Sequence, residues 1–383
     1  MIYLNNTATS FPKPKVVTDA VIESFKSPPC HSSRTGLDAD EEDVFYQCRE
    51  RLAKLFNFSN PIRIAFSSGS TESLNLAIKG LKLKGSHVVS TAIEHNSVIR
   101  PLKTLEAEGE IEVTFVPCNS TGYVEPADIG SAITRNTKAV VVNHCSNVTG
   151  TILDLKTISE IAHKYGCYLI VDASQSAGAL PIDFDGWELD LLAFTGHKSL
   201  FGMPGIGGLL MKEGIDLIPL KTGGTGVKSE VLVQPPELPL YYEAGTPNFP
   251  GVVSLNAGVG FVLDTGIENI KNRKSYLVRK MIDSLSEIRD ITIINDPEHS
   301  SFSNFCFNIE GLVPEEVNYI LESSYDMHVR SGLHCAPLLL EALGVYPWGT
   351  VRASPSFFTT DEEVDKFIAA IKEIVESFPR KKS

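Results

Sequence analysis

The amino-acid sequence predicts an α/β protein, with a large domain built on a mostly parallel sheet flanked by helices and a smaller α+β domain after it. Three observations predict this. The chain has 383 residues and 43% hydrophobic content, more than one compact domain usually needs and enough for a full core. Between residues 60 and 211, β-rich apolar runs alternate with longer segments of helical spacing, the pattern of parallel strands buried on both faces. After residue 250 the alternation stops and a different order of elements begins.

The strands expected in the first region are Ile62 to Phe66, His87 to Thr91, Ile111 to Pro117, Ala139 to Asn143, Tyr168 to Val171, Leu191 to Phe194 and Ile206 to Met211. Thr71 to Lys79, Ser97 to Glu106 and Leu155 to Tyr165 repeat apolar residues at helical spacing and can each cover a sheet face. Lys221 to Phe249 is rich in Gly, Pro and aromatic residues and too long for an ordinary connection, which points to a functional loop. Beyond it we expect one helical stretch, a strand at Phe302 to Ile309, a helix near Pro314 to Glu322, a strand near Val351 and a final amphipathic helix at Asp361 to Phe378. The expected division is a large domain over 15–250 and a small one made of 1–14 and 251–383. The basic end, PRKKS, reads as a frayed tail.

A formal net charge of −13 argues against a nucleic-acid partner, which would need clustered Lys and Arg. No stretch approaches the roughly 18 uncharged apolar residues of a membrane span, and MIYLNNTATSFPKP lacks a basic segment followed by an apolar run. A cytoplasmic protein with no membrane partner is expected. The seven cysteines are odd in number and scattered without a CxxC pair, which fits neither a disulfide framework nor a zinc site. Most read as buried small hydrophobes, and no metal is expected.

Chemistry concentrates in three places. Ser67-Ser68-Gly69-Ser70-Thr71-Glu72 lies between a strand and a helix, where backbone N–H groups, hydroxyls and the helix N-terminus can hold a phosphate. Taken alone, the same string would pass as an ordinary helix cap. Asp172 ends the strand CYLIV, where open α/β sheets place ligands, with Gln175 three residues on. A carboxylate there can pair with a protonated ring nitrogen, or merely cap a turn. Thr195-Gly196-His197-Lys198 follows an apolar strand and precedes Gly202, Gly205, Gly207 and Gly208. A lysine at the end of a buried strand has few solvated alternatives, and desolvation moves its amine toward the neutral, nucleophilic form.

With TGHK after a strand, VDASQ upstream of it and SGSTES further upstream, the chain resembles the fold type I pyridoxal 5'-phosphate (PLP) enzymes, class V aminotransferase branch, over nearly its whole length. The resemblance implies that Lys198 holds PLP as a Schiff base, Asp172 pairs with the pyridine nitrogen and Gln175 donates to the phenolate oxygen. Ser70, Thr71, Thr195 and His197 would hold the phosphate, with Gly69 beside them. Ile93-Glu94-His95-Asn96-Ser97 matches the segment whose histidine stacks on the ring and relays protons, which carries that role to His95. Ser146-Asn147-Val148-Thr149-Gly150 resembles the loop whose asparagine, here Asn147, touches cofactor and substrate carboxylate. Arg352 resembles the arginine that clamps that carboxylate, a bidentate geometry lysine cannot copy. Tyr242 to Asn248 resembles a loop that reaches across a homodimer to the neighbour's phosphate, through Thr246.

Arg330-Ser331-Gly332-Leu333-His334-Cys335-Ala336-Pro337 is similar to the active-site cysteine loop of cysteine desulfurases and selenocysteine lyases. A reactive thiol needs exposure and a positive neighbour, and Arg330 and His334 are both close in sequence. The resemblance implies conversion of L-cysteine, or L-selenocysteine, to alanine. Sulfur would pass to Cys335 as a persulfide and on to an acceptor protein, with iron–sulfur cluster assembly as one destination. Leu333, Asn5 (where the family usually has Asp) and Pro28-Pro29-Cys30 depart from the family pattern. Three other readings stay open: a selenocysteine lyase or other C–S lyase, an aminotransferase or epimerase in which Cys335 is incidental, and an inactive scaffold binding partners in sulfur metabolism. Lys198 with Asp172 argues against the scaffold, and Cys335 in its motif against the aminotransferase.

Overall fold

The computed structural model describes residues 1–26, 43–296, 298–300 and 303–378. Pro28-Pro29-Cys30, Phe302 and the basic end after Phe378 lie outside the described residues. A seven-stranded sheet organises the first part, in the spatial order Ile64–Ser67, Gly207–Met211, Leu191–Thr195, Tyr168–Asp172, Thr137–Asn143, Ser86–Thr91 and Ile111–Val116. Gly207–Met211 runs antiparallel to both of its neighbours, while the other pairs are parallel.

Side-chain alternation explains why both faces are covered. Val89, Val140, Val142, Leu169, Val171 and Leu192 enter one core, whereas Val88, Ala139, Val141, Ile170, Leu191 and Ala193 enter the core on the opposite face. Successive residues of a strand point to opposite faces, so runs apolar at every position need a layer of helices on each side. The helix Ser70–Gly80 packs on Leu191–Thr195 and Gly207–Met211. That contact depends on glycine: a Cβ on Gly207 would lie 2.5 Å from the Phe194 carbonyl oxygen and 2.7 Å from Gly69 Cα.

The second part has its own core. Its sheet is antiparallel in the order Arg330–Gly332, Thr350–Ala353, Phe305–Ile309, Ile291–Ile293. The helices Ile267–Leu285, Pro314–Tyr325 and Asp361–Ser377 supply the rest, and Leu4 joins them. Ile2–Tyr3 pairs in parallel with Met327–His328, which ties the N-terminus to this body. The mostly parallel sheet flanked by helices is as expected. The single helical stretch expected after residue 250 is instead two helices, Phe249–Thr265 and Ile267–Leu285, bent by 82° at Gly266. Gly266 holds φ 84°, the left-handed region that glycine occupies without penalty. Two helices before the sheet, Lys15–Ser24 and Val44–Phe56, and the edge strand Ile291–Ile293 have no counterpart in the sequence reading. Among the described residues no single helix is long and apolar enough to cross a membrane.

Candidate active site

The segments that follow the parallel strands converge on one edge of the sheet, where α/β folds place ligands. They line a cavity of about 330 Å³. Gly69, Ser70, Thr71, His95, Asn147, Asp172, Gln175, Thr195, His197, Lys198 and Arg352 all line it, so nearly every residue named from sequence meets there. Thr246 lines a neighbouring cavity of about 160 Å³ that shares Ser68, Glu72 and Gly205 with the first. Its loop is anchored by Glu243, which accepts from Arg49 Nη2 at 2.5 Å and from the Phe66 N–H at 2.7 Å.

Lys198 is delivered by a strand whose five residues, Leu191–Thr195, are all buried. Gly196 turns the chain where a Cβ would lie 2.7 Å from Ile206. Lys198 is half-buried, with part of its surface on the cavity. Burial lowers its amine to about 8, against the opposing field of Asp172 and with help from Arg352 and Arg330. Asp172 is buried, and its Oδ1 accepts from the Ser174 N–H at 2.9 Å and from the Ser174 hydroxyl. Ser174 Oγ also lies 2.6 Å from Ser70 Oγ. The carboxylate is thereby held to the phosphate-type loop, and Ser174 is a site residue the sequence reading missed.

His95 caps the helix Asn96–Ala107 with its ring. Nδ1 accepts from the Ser97 N–H at 3.1 Å and lies 2.9 Å from Ser97 Oγ, which is itself 2.8 Å from Thr71 Oγ1. Burial lowers the imidazole to about 4. With Nδ1 occupied as an acceptor, the neutral ring carries its proton on Nε2. Behind it Glu94 is fully buried, and burial raises its carboxyl to about 8, so it is a neutral acid near pH 7. Its Oε1 accepts from Thr91 Oγ1 and the Asn143 N–H, which fixes the turn before His95.

The cysteine loop closes the cavity from the second body. Cys335 is partly exposed, and Arg330 Nη2 donates to its sulfur at 3.3 Å. His334 does not supply the second positive neighbour that its place in sequence suggests. Its ring is buried, lies 2.9 Å from Thr350 Oγ1, and is held well below the ordinary histidine range by burial and by Arg352. Gly332, His334 and Cys335 all have positive φ, at 93°, 48° and 59°. Such backbone is costly for the two non-glycine residues and is a feature of functional loops. Asn147 Nδ2 donates to the His334 carbonyl at 2.7 Å, and the Asn96 N–H to the Cys335 carbonyl at 2.7 Å, so the first body grips the loop. None of the six described cysteines forms a disulfide, and Cys145 lines the cavity unforeseen.

A fold of this order, with a strand-end lysine and a buried aspartate lining one cavity, has the layout of a cofactor-dependent α/β enzyme. The chain belongs to the class V aminotransferase family, whose model matches residues 2–367. A relative from Methanothermobacter thermautotrophicus named "Probable cysteine desulfurase" is 33% identical over 97% of this chain and 94% of its own. A "Cysteine desulfurase" from Haloferax volcanii is 29% identical over 99% and 90%. Among solved structures, the apo cysteine desulfurase from Thermococcus onnurineus NA1 superposes with a TM-score of 0.88 at 30% identity, covering 98% of this chain and 95% of the other. The cysteine desulfurase CsdA from Escherichia coli, in an S-sulfonic acid form, gives 0.88 at 26% identity, with 98% and 95% covered.

The family is PLP-dependent, and the cavity fits that group. It offers backbone and hydroxyl donors at the N-terminus of Ser70–Gly80 for a phosphate, Asp172 for a ring nitrogen and Lys198 for an aldehyde. Asn143 Oδ1, His197 Nδ1 and Arg352 Nε, all on cavity-lining residues, are buried and without a partner among the described residues.

The neutral histidines make the protein acid-labile. His144 is buried and lowered to about 4 by burial, and burial likewise holds His334 well below the ordinary histidine range. A depressed histidine leaves stability intact above its unfolded value near 6.5 and removes it as pH falls toward the folded value. For His144 this should cost on the order of 2 kcal/mol at pH 5 relative to pH 7, and His334 adds to it in the same direction. The expected result is a melting temperature that falls steeply between pH 6.5 and 5 in calorimetry, less so in His144→Gln. A flat profile over that range would contradict the neutral assignment.

Proposed function

We propose that the protein is a PLP-dependent cysteine desulfurase. L-Cysteine and the Cys335 thiol give L-alanine and a Cys335 persulfide: the substrate Cβ–S bond breaks, an S–S bond forms, and the thiol proton remains with the products. When bound, PLP supplies the electron sink that makes the substrate carbon acidic and the Cβ–S bond labile. The observation that carries this reading is Arg330, which lines the cavity holding Lys198 and Asp172 and donates to the Cys335 sulfur beside it.

The chain's own groups divide the work. Asp172, fixed by Ser174, presents its carboxyl group at the sheet edge for a ring nitrogen. Lys198, with its amine near 8, exchanges protons close to neutral pH. His95 holds a proton at Nε2 facing the cavity, where it can donate to substrate. Arg352 and Asn147 orient the substrate carboxylate, while Arg330 places a positive charge against the sulfur nucleophile. The Thr246 loop serves the neighbouring site of a homodimer, and the chain divides into domains of 15–250 and of 1–14 with 251–383, the helix Phe249–Thr265 packing back on the first core.

The test is turnover of L-cysteine by PLP-loaded protein in the presence of a reducing thiol. Alanine and sulfide should appear in equal amounts without any keto acid. Alanine formation that requires a keto acid, or sulfide accompanied by pyruvate and ammonia, would defeat the proposal. L-Selenocysteine in a parallel arm distinguishes a selenocysteine lyase by a preference over L-cysteine.

A further inference from the structure

Among the described residues Arg352 is a cation without a carboxylate counter-ion. Its side chain is wholly buried in the strand Thr350–Ala353. Nη1 donates to the Asn147 carbonyl at 2.8 Å and Nη2 to Asn5 Oδ1 at 3.2 Å, while Nε has no partner among the described residues. Both acceptors are neutral. Arg330 is its direct cross-strand neighbour in the antiparallel ladder, an arrangement in which like charges repel. Among the described residues neither arginine takes part in an ion pair with a carboxylate. The ionisable groups acting on Arg352 most strongly are Cys306, Arg330, Cys335 and Tyr3, with no carboxylate among them.

Asn5 itself is held firmly. It bridges in parallel to Ser354, two residues beyond Arg352, and Asn6 Nδ2 donates to the Ser354 carbonyl at 3.0 Å. The N-terminal segment thus brings one amide oxygen to the guanidinium and brings no charge with it.

We propose that Asn5 is a specificity-determining residue: as a neutral acceptor it orients Arg352 while leaving its positive charge uncompensated, so that the α-carboxylate of the substrate is the first anion to pair with it. The inference rests on the reading of Arg352 as the carboxylate clamp. An aspartate at position 5 would add a permanent internal partner. The protein would become more stable and would bind an amino-acid carboxylate less well, because a buried cation paired within the fold gains little from a second anion. A merely structural asparagine predicts a different pattern, in which any replacement lowers stability and leaves the carboxylate without special standing.

The experiment compares wild type, Asn5→Asp, Asn5→Ser and Arg352→Gln as PLP-loaded full chains. Three quantities are measured: melting temperature with and without acetate, KM and kcat for L-cysteine, and spectral binding of cysteamine, which lacks the carboxylate. For Asn5→Asp we expect a higher melting temperature and loss of the acetate-induced rise. Its KM should increase about ten- to a hundredfold with kcat changed by less than about threefold, and cysteamine binding should be unaltered. Asn5→Ser, still a neutral acceptor, should raise KM by no more than about threefold. A lower melting temperature or failure to fold in Asn5→Asp, an unchanged KM, or an equal loss of cysteamine binding would each overturn the proposal. Arg352→Gln separates the two claims: if it leaves KM for L-cysteine unchanged, the carboxylate-clamp reading itself fails. If it raises KM and Asn5→Asp does not, only the role of Asn5 fails.

Discussion

Replacing Cys335 with alanine is expected to abolish sulfur transfer while leaving cofactor and substrate binding intact. The thiol touches the cavity only through Arg330, whereas Lys198, Asp172, Asn147 and Arg352 line it directly. Removing Sγ therefore deletes the proposed nucleophile and leaves the groups that would grip the cofactor and the substrate carboxylate. Loss of a nucleophile from a site otherwise intact lowers turnover on the order of a thousandfold or more. Three measurements check this. Sulfide release from L-cysteine should vanish, the persulfide adduct should be missing from the intact-protein mass, and the change in visible absorption on adding L-cysteine should persist. The backbone has a part in the outcome, because residue 335 sits at φ 59° and a Cβ there is already strained. Cys335→Gly would relax that strain and should be equally inactive, which separates the thiol from the shape of the loop. Undiminished sulfide release by either variant would make Cys335 structural and turn the reading toward a direct C–S lyase.

The sequence made the site legible wherever chemistry and chain order coincide. Lys198 was readable because four apolar residues, Leu191 to Phe194, force a buried strand and the residue after His197 must emerge just beyond its end. Asp172 was readable on the same ground. What lay hidden depends on register or on side-chain direction. Arg330 and Arg352 face one another across two strands separated by the helix Pro337–Ala342, and no periodicity reports which residues of two such strands align. Asn5 reaches Arg352 across 347 positions of sequence. Ser174 stands two residues from Asp172, but its hydroxyl could equally have capped a turn. His334 misled for a related reason. Adjacency to Cys335 suggested a shared environment, yet positive φ at both residues sends the imidazole inward to Thr350. The break at Gly266 escaped because one glycine inside a helical pattern is usually tolerated. Here the next helix must pack on the second core, through Leu277, Val278, Met281 and Leu285, and the chain turns by 82° to do so.

Replacing Lys198 is expected to have an effect at least as large, of a different kind. The amine near 8 is about a tenth neutral at pH 7, where an ordinary lysine amine near 10.5 would be neutral in only about three molecules in ten thousand. Burial thus raises the reactive fraction several-hundredfold at neutral pH. The neutral fraction grows as pH rises through 8, so uptake of PLP by the apoprotein should accelerate about fivefold between pH 7 and pH 8 and level off above pH 9. Stopped-flow absorbance measures this directly. Lys198→Ala should still bind PLP through the loop at Gly69 to Thr71 and through Asp172. It should not retain the cofactor after borohydride treatment and denaturation, and its turnover of L-cysteine should fall on the order of a thousandfold or more. Lys198→Arg should fare no better, since a guanidinium does not deprotonate in this range. Added methylamine, small enough for a cavity of about 330 Å³, should restore part of the lost activity to the alanine variant in proportion to its neutral form and leave the arginine variant inactive. The contrast matters because both variants lose the covalent link to the cofactor, but only one leaves room for an amine to replace it. Peptide mapping of reduced wild type must place the cofactor on Lys198. A label on Lys13 or Lys274, the other amines that burial lowers to about 8, would undo the assignment.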